Sequence, residues 1–118
     1  MGIFDFVQRS ALRKFARDDI SHASKLPGFM QTMIANSVVE NISAFMSNES
    51  NGLDASERYQ IIRHKRNNYG RNGPQSFTDP EWLSLAITEN LAGALLRRDE
   101  EIIFACLAWI DANKSGGS

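Results

Sequence analysis

The sequence predicts an all-α fold, a compact bundle of about five helices in which the two C-terminal helices form a buried hairpin. Apolar residues recur at helical rather than two-residue spacing along most of the 118-residue chain. Residues 102–110 carry no polar side chain, which in a helix indicates burial on nearly every side. We expect residues 1–114 to form a single helical domain, and the Ser-Gly-Gly-Ser of residues 115–118 to be a flexible tail or a cloning remnant.

Two helical patterns occupy the first half of the chain. The first predicts a helix over residues 3–19, with arginines on one face and an apolar stripe on the other. That apolar stripe consists of Ile3, Phe4, Val7, Ala11, Leu12 and Phe15. The second pattern predicts a core helix over residues 29–48, whose continuous apolar stripe consists of Ile34, Val38, Ile42, Phe45 and Met46.

Local signals delimit the third helix. Asp54 followed by Glu57 has the pattern of a capping box, in which each residue bonds the backbone N–H of the other, and it predicts a helix from residue 54 to about residue 68. The predicted inner face consists of Ala55, Tyr59, Ile62 and Tyr69. Residues 67–76 lack periodicity and are rich in glycine and proline, so they are predicted to form a loop.

The fourth helix has a strong start signal in Thr78-Asp79-Pro80-Glu81, which combines a capping side chain, a first-turn proline and an acid near the positive helix end. Gly93 lies inside this helix and predicts a close approach by a neighbour, with Ala105 and Ala108 of the fifth helix as the expected partners. The turn around residues 97–100 is expected to separate the two helices. One continuous long helix is the alternative.

Patterns of catalytic or metal-ligating residues are absent from the sequence. The two histidines, His22 and His64, lie outside every spacing typical of a metal site. Asp18 and Asp19 precede His22 at distances that would orient an imidazole, but such pairs are common on helix surfaces. Cys106 is the single cysteine, and its apolar neighbours predict an unreactive thiol. We therefore expect no catalytic, cofactor or metal site and no small-molecule substrate.

Composition favours a cytoplasmic globular protein. The net charge is −1 and the apolar fraction is 42%, and both values are ordinary for soluble domains. The longest apolar run is well below the roughly 20 residues of a membrane-spanning helix. Charged residues interrupt the N-terminal segment where a signal peptide would need its apolar core.

Protein binding without catalysis is the function that the sequence favours. The chain would act as a small adaptor, regulator or inhibitor, in a homodimer or in a complex with another protein. Little else in the chain is apolar enough to cover the fourth and fifth helices completely, and aromatic residues are common interface anchors. The expected anchors are Trp82, Phe104 and Trp109.

Two alternatives remain open from the sequence. Residues 58–71 form a basic segment with interleaved aromatic rings, which would bind a nucleic acid or an acidic protein. Its predicted electrostatic surface consists of Arg58, Arg63, Lys65, Arg66, Tyr69 and Arg71. The N-terminal helix, with Ile3, Phe4 and Phe15 opposite arginines, would instead attach the chain to a membrane surface.

Overall fold

Five α-helices form the described part of the computed structural model, which covers residues 3–47, 52–72 and 77–114. Side chains are described for residues 13–47, 52–69 and 77–114. The helices are α1 (Ile3–Ser24), α2 (Gly28–Ser47), α3 (Ala55–Asn72), α4 (Pro80–Arg97) and α5 (Glu100–Asn113). These described ranges contain no strand, so the all-α class and the predicted number of helices are confirmed.

Helix α4 is the central element and packs against each of the other four helices. Even its polar residues Ser84, Thr88 and Asn90 are at most 3% exposed. Ser84 Oγ donates to Ser37 Oγ on α2 at 2.7 Å. Asn90 Nδ2 donates to Asp19 Oδ2 on α1, also at 2.7 Å. These polar contacts join α4 to two different helices across an otherwise apolar core.

Helices α3 and α4 begin where local side-chain signals predict. The Asp54 N–H donates to Glu57 Oε1 at 3.0 Å, and the Glu57 N–H donates to Asp54 Oδ1 at 2.8 Å. At the start of α4, Asp79 Oδ1 accepts from the backbone N–H groups of Glu81 at 3.0 Å and Trp82 at 3.3 Å. The predicted capping box and the predicted start of α4 are both confirmed.

Helix α3 extends farther than the sequence predicts. The prediction of a loop over residues 67–76 is wrong at its beginning, because α3 continues through Asn72. Tyr69 Oη donates to Asp79 Oδ2 at 2.8 Å, which holds the last turns of α3 against the start of α4. This tertiary contact outweighs the low helix propensity of the asparagine and glycine residues in those turns. Residues 73–76 lie outside the described part of the chain.

The chain reverses direction within two residues between α4 and α5. Arg98 adopts the left-handed conformation with φ 57° and ψ 43°. The Asp99 N–H donates to the Ala94 carbonyl at 3.0 Å. The Arg98 N–H donates to the Leu95 carbonyl at 3.4 Å, which completes the pattern of a Schellman motif. The helical hairpin is therefore confirmed, and the alternative of one continuous helix is wrong.

Gly93 lies where α3, rather than α5, comes close to α4. A Cβ atom at Gly93 would lie 3.2 Å from Tyr59 Cε1 on α3 and 3.0 Å from Arg97 Nη2. Ala105 and Ala108 are exposed on the outer side of α5. The predicted close approach is confirmed, but its assignment to α5 is wrong because the reversal after α4 turns the other side of α5 toward the core.

Helix α1 meets the core through small side chains. Ala16, Asp19 and Ala23 are each at most 2% exposed, whereas Phe15 of the predicted apolar stripe is 41% exposed. In the part of α1 whose side chains are described, the buried face is therefore displaced by one residue from the predicted stripe. Small side chains on this face allow α1 to approach α4 and α5 closely.

Helix α5 is buried on one side only. Its inner side consists of Ile102, Cys106, Trp109 and Ile110, which are at most 8% exposed. On its outer side Phe104 is 68% exposed and Leu107 is 46% exposed. The prediction of burial on nearly every side of this helix is wrong, because α5 packs at the edge of the bundle against α1, α2 and α4.

Candidate interaction site

The outer side of α5 carries an apolar surface that is open to solvent. Phe104 and Leu107 lie one helical turn apart, and Ala108 beside them is also exposed. We call these three residues the α5 strip. Single exposed apolar residues are normal in folded proteins, but a large aromatic ring grouped with a leucine is typical of an interaction surface.

Ion pairs border the α5 strip at both of its ends. At the N-terminal end, Arg13 Nε lies 2.9 Å from Glu101 Oε2 and 4.0 Å from Asp99 Oδ1. At the C-terminal end, Lys114 Nζ lies 3.6 Å from Asp111 Oδ1. These pairs place opposite charges side by side at each end of the strip.

The two tryptophans that the sequence predicts as interface anchors lie inside the core. Trp82 is 5% exposed and Trp109 is 8% exposed. Trp109 Nε1 donates to Ser24 Oγ at 3.0 Å and so ties α5 to the end of α1. The Trp82 ring meets the Phe77 ring edge-on, with 5.3 Å between centroids. Of the three predicted anchors, the structure places Phe104 at the surface.

The predicted basic surface is only partly exposed. Arg63 and Lys65 are exposed on α3. Arg58 turns back to the fold, because its Nη1 donates to the Leu53 carbonyl at 3.0 Å. The side chain of Arg71 lies outside the described part. The structure therefore does not bring the six predicted residues together on one described surface.

Arg66 and Tyr69 of the same segment hold α3 in place. Arg66 is 8% exposed, its Nη1 lies 3.0 Å from Glu89 Oε1, and its guanidinium lies 4.4 Å from the centre of the Phe15 ring. The hydrogen bond from Tyr69 to Asp79 raises the pKa of Tyr69 to about 12. Both side chains are engaged within the chain, so the support for nucleic-acid binding by this segment is weaker than the sequence indicates.

A groove between α2, α3 and α4 is a second candidate site, with a volume of about 250 Å³. Its apolar lining consists of Ala44, Phe45, Leu53, Ile61, Ile62 and Leu85, and its polar lining of Asn41, Arg58, Lys65 and Thr88. We call it the α2–α3–α4 groove. Thr88 is fully buried, and its Oγ1 has no hydrogen-bond partner among the described residues. A buried hydroxyl without a partner costs about 1–3 kcal/mol, and this one belongs to a residue that lines the groove.

A buried carboxylate lies between α1 and α4. Asp19 is 1% exposed, and its burial raises the pKa of the carboxyl group to about 6, although Arg66 and the hydrogen bond from Asn90 act in the opposite direction. The hydrogen bond of the Asp19 side chain is to Asn90, and His22 has a different partner. The His22 Nδ1 atom lies 2.7 Å from the backbone carbonyl oxygen of Asp18 instead. These described residues therefore do not form the carboxylate–imidazole pair of a general acid–base site.

The Cys106 side chain is fully buried on the inner side of α5. Burial, together with the nearby Asp19 carboxylate, raises the pKa of the thiol to about 12. Because the thiolate is the reactive form of cysteine, this thiol remains protonated and inert near neutral pH. Among the described residues, no group of three or more His, Cys, Asp and Glu side chains is placed to hold a metal ion.

Comparison with protein-family models, with curated proteins and with solved structures found no match for this chain. Within the ranges that the structure describes, no helix has both the length and the apolar character needed to cross a membrane. The predicted membrane attachment depends on Ile3, Phe4 and Phe15. The side chains of Ile3 and Phe4 lie outside the described part, and Phe15 is 41% exposed with the Arg66 guanidinium over its ring. The α5 strip and the α2–α3–α4 groove are therefore the two surfaces from which we infer a function.

Sequence reasoning missed the groove and the buried Asp19–Asn90 hydrogen bond. The groove combines side chains from three helices and from the segment before α3, so no local spacing marks it. Asp19 and Asn90 are 71 residues apart in the chain. The usable signal was polar residues among apolar ones, namely Thr88 and Asn90 in the middle of the predicted fourth helix.

Proposed function

We propose that this chain is a non-catalytic protein-binding module that associates with a second copy of itself through the α5 strip. The observation that carries the proposal is the 68% exposure of Phe104 on a helix whose opposite side is fixed in the core. Covering this ring and Leu107 would gain about 25 cal/mol for each Å² of apolar surface removed from water.

The ion pairs at the ends of the α5 strip are compatible with a second copy of the chain as the partner. In a twofold dimer the same surface of each copy meets the other, so unpaired like charges at its border would repel. The Arg13–Glu101 and Asp111–Lys114 pairs reduce that repulsion. One short helix provides less than the roughly 800 Å² per partner of a standard interface, so we expect a weak dimer whose population rises with concentration.

Phe29 on α2 forms a second exposed apolar pair with Met33, so the two phenylalanines test whether α5 in particular carries self-association. Phe104 on α5 is 68% exposed and Phe29 on α2 is 65% exposed. We expect the wild-type chain and Phe29→Asp to shift from 13.2 kDa toward twice that mass as concentration rises. Phe104→Asp is expected to stay at 13.2 kDa, because it places a carboxylate in the centre of the strip. Sedimentation equilibrium measures the mass, and circular dichroism verifies that both variants remain helical.

A wild-type chain that sediments at 13.2 kDa at every concentration would contradict self-association. Equal dimerisation of Phe104→Asp and the wild type would exclude the α5 strip as the interface. The sequence also predicts a complex with a different protein. Purification from the cells that express the chain, with nuclease treatment, tests this alternative. One stoichiometric protein partner that Phe29→Asp retains and Phe104→Asp loses would support that complex.

A further inference from the structure

We propose that the α2–α3–α4 groove binds a small amphiphilic carboxylate, meaning a carboxylate group attached to a short apolar chain. The groove is lined by residues of α2, α3 and α4 and by Leu53 before α3. It is therefore separate from the α5 strip, and this inference does not depend on the proposed self-association.

The apolar walls of the groove define the tail of the ligand. Phe45, Ile62 and Leu85 line its interior, and Ile61, which is 45% exposed, lies at its mouth. Sites for drug-sized molecules have volumes of roughly 300–1,000 Å³, and the groove, at about 250 Å³, is smaller. A short alkyl chain therefore suits this space better than a large ring system.

The polar atoms of the groove define the head of the ligand. Thr88 Oγ1 and Arg58 Nε are both buried and have no hydrogen-bond partner among the described residues. Lys65 adds an ammonium group to the lining. An arginine Nε–H and an ammonium group can only donate hydrogen bonds, and the threonine hydroxyl can donate as well. A negatively charged acceptor forms the strongest hydrogen bonds with such donors.

A carboxylate accepts hydrogen bonds from donors of this kind and carries a single negative charge. The guanidinium of Arg58 is held at one end because its Nη1 donates to the Leu53 carbonyl at 3.0 Å. It also lies 5.4 Å from the centre of the Phe45 ring, beside the apolar wall. A phosphate would bring additional charge against this wall, and desolvation of that charge is costly. The charge and the shape of the groove thus favour a monoanionic head.

Titration with octanoate, followed by isothermal calorimetry and by chemical shifts of the Thr88 amide, tests the proposal. Acetate supplies the head without the tail, and 1-octanol supplies the tail without the head. We expect saturable binding of octanoate that is at least about tenfold tighter than binding of either half. Binding of 1-octanol as tight as that of octanoate, or the absence of saturable octanoate binding, would overturn the proposal.

Charge-swap variants at the mouth of the groove locate the site. Ile61 is partly exposed, so Ile61→Glu and Ile61→Lys should both preserve the fold while they remove the same apolar side chain. We expect Ile61→Glu to weaken octanoate binding about tenfold and Ile61→Lys to leave it equal or tighter. Equal losses in the two variants would contradict a carboxylate at this position.

Two further variants separate the buried donor from the general surface charge. Thr88→Val keeps the shape of the side chain and removes its hydroxyl, and we expect it to weaken octanoate binding several-fold. Arg63→Gln removes an exposed cation of α3 that does not line the groove, and it should leave binding unchanged. Unchanged binding in Thr88→Val, or an equal loss in Arg63→Gln, would exclude the proposed site. Phe104→Asp should bind octanoate normally, because α5 does not contribute to the groove.

Discussion

Helices α4 and α5 form one hairpin, yet the helix with fewer polar residues is the more exposed of the two. Helix α4 contains Ser84, Thr88 and Asn90, and all three are nearly inaccessible to solvent. Helix α5 contains the uninterrupted apolar run 102–110, and its residue Phe104 is 68% exposed. The position of a helix in the bundle, more than its own apolar content, therefore determines how much of it is buried.

The contrast also separates two uses of apolar side chains. On α4 they fill the core, and Ser84 and Asn90 among them find partners on α2 and α1. On α5 about half of them fill the core, and the remainder exceed what the bundle covers. Exposed apolar side chains that the bundle does not bury are typical of a binding site for another molecule. The predictions below test how far this distinction between the two helices holds.

Truncation of a buried leucine in α4 is expected to have the largest effect on stability. Leu91 is 1% exposed, and Leu91→Ala should lower the free energy of unfolding by about 3–4 kcal/mol because it leaves a cavity. Leu107→Ala makes the same chemical change on the α5 strip and should cost less than about 1 kcal/mol. Urea unfolding at low protein concentration measures both values. Similar losses of unfolding free energy in the two variants would show that Leu107 is packed rather than exposed.

Removal of the buried Asp19 carboxylate between α1 and α4 is expected to have the next largest effect on stability. The folded chain raises the pKa of Asp19 from 3.8 to about 6, so folding takes up a proton between roughly pH 4 and pH 6. The contribution of this group to stability therefore falls as pH rises through that window. Asp19→Asn retains an acceptor for Asn90, and it should raise the free energy of unfolding at pH 7 by roughly 1–3 kcal/mol.

The adjacent, exposed Asp18 provides the control for Asp19. The difference in unfolding free energy between Asp19→Asn and the wild type should be small near pH 4 and should grow toward pH 7. Asp18→Asn changes an exposed side chain and should alter the free energy of unfolding by less than about 0.5 kcal/mol. A constant difference for Asp19→Asn across this range would contradict the raised pKa of its carboxyl group.

A methyl group at the close approach of α3 and α4 is expected to have the smallest effect. Gly93→Ala gains about 1 kcal/mol of helix propensity, but its Cβ would lie 3.2 Å from Tyr59 Cε1. We expect a net loss of about 1 kcal/mol in the wild-type background, because the half-buried tyrosine must move. In a Tyr59→Ala background the same substitution should stabilise by roughly 0.5–1 kcal/mol. Thermal unfolding of the four chains measures the coupling, and its absence would exclude the contact with Tyr59.

The beginnings of helices could be predicted from the sequence because their signals are local. The Asp54–Glu57 capping box joins residues three positions apart. Asp79 likewise caps α4 through N–H groups two and three residues away. Both arrangements join residues that are close in sequence, so they do not depend on which other helices pack nearby. The role of Phe104 as an interface anchor stays a prediction, made from a large aromatic residue in an apolar run.

Features that depend on distant residues could not be predicted in the same way. The burial of Arg66 requires Glu89, 23 residues farther along the chain, and the ring of Phe15 on α1. The partner of Gly93 and the outward direction of Phe104 depend on how α4 is joined to its neighbours. Periodicity identifies which residues share a helix face, but it does not say which helix, if any, that face meets.

The tight reversal at Arg98 has a consequence for how the chain can respond to its surroundings. The two backbone hydrogen bonds at 3.4 and 3.0 Å fix the direction in which the chain leaves α4, and the hydrogen bond from Trp109 to Ser24 holds α5 against the end of α1. The backbone that carries Phe104 is therefore held in one position relative to the bundle. A partner that binds Phe104 meets a preorganised surface, so little of the binding free energy is lost to ordering of the chain.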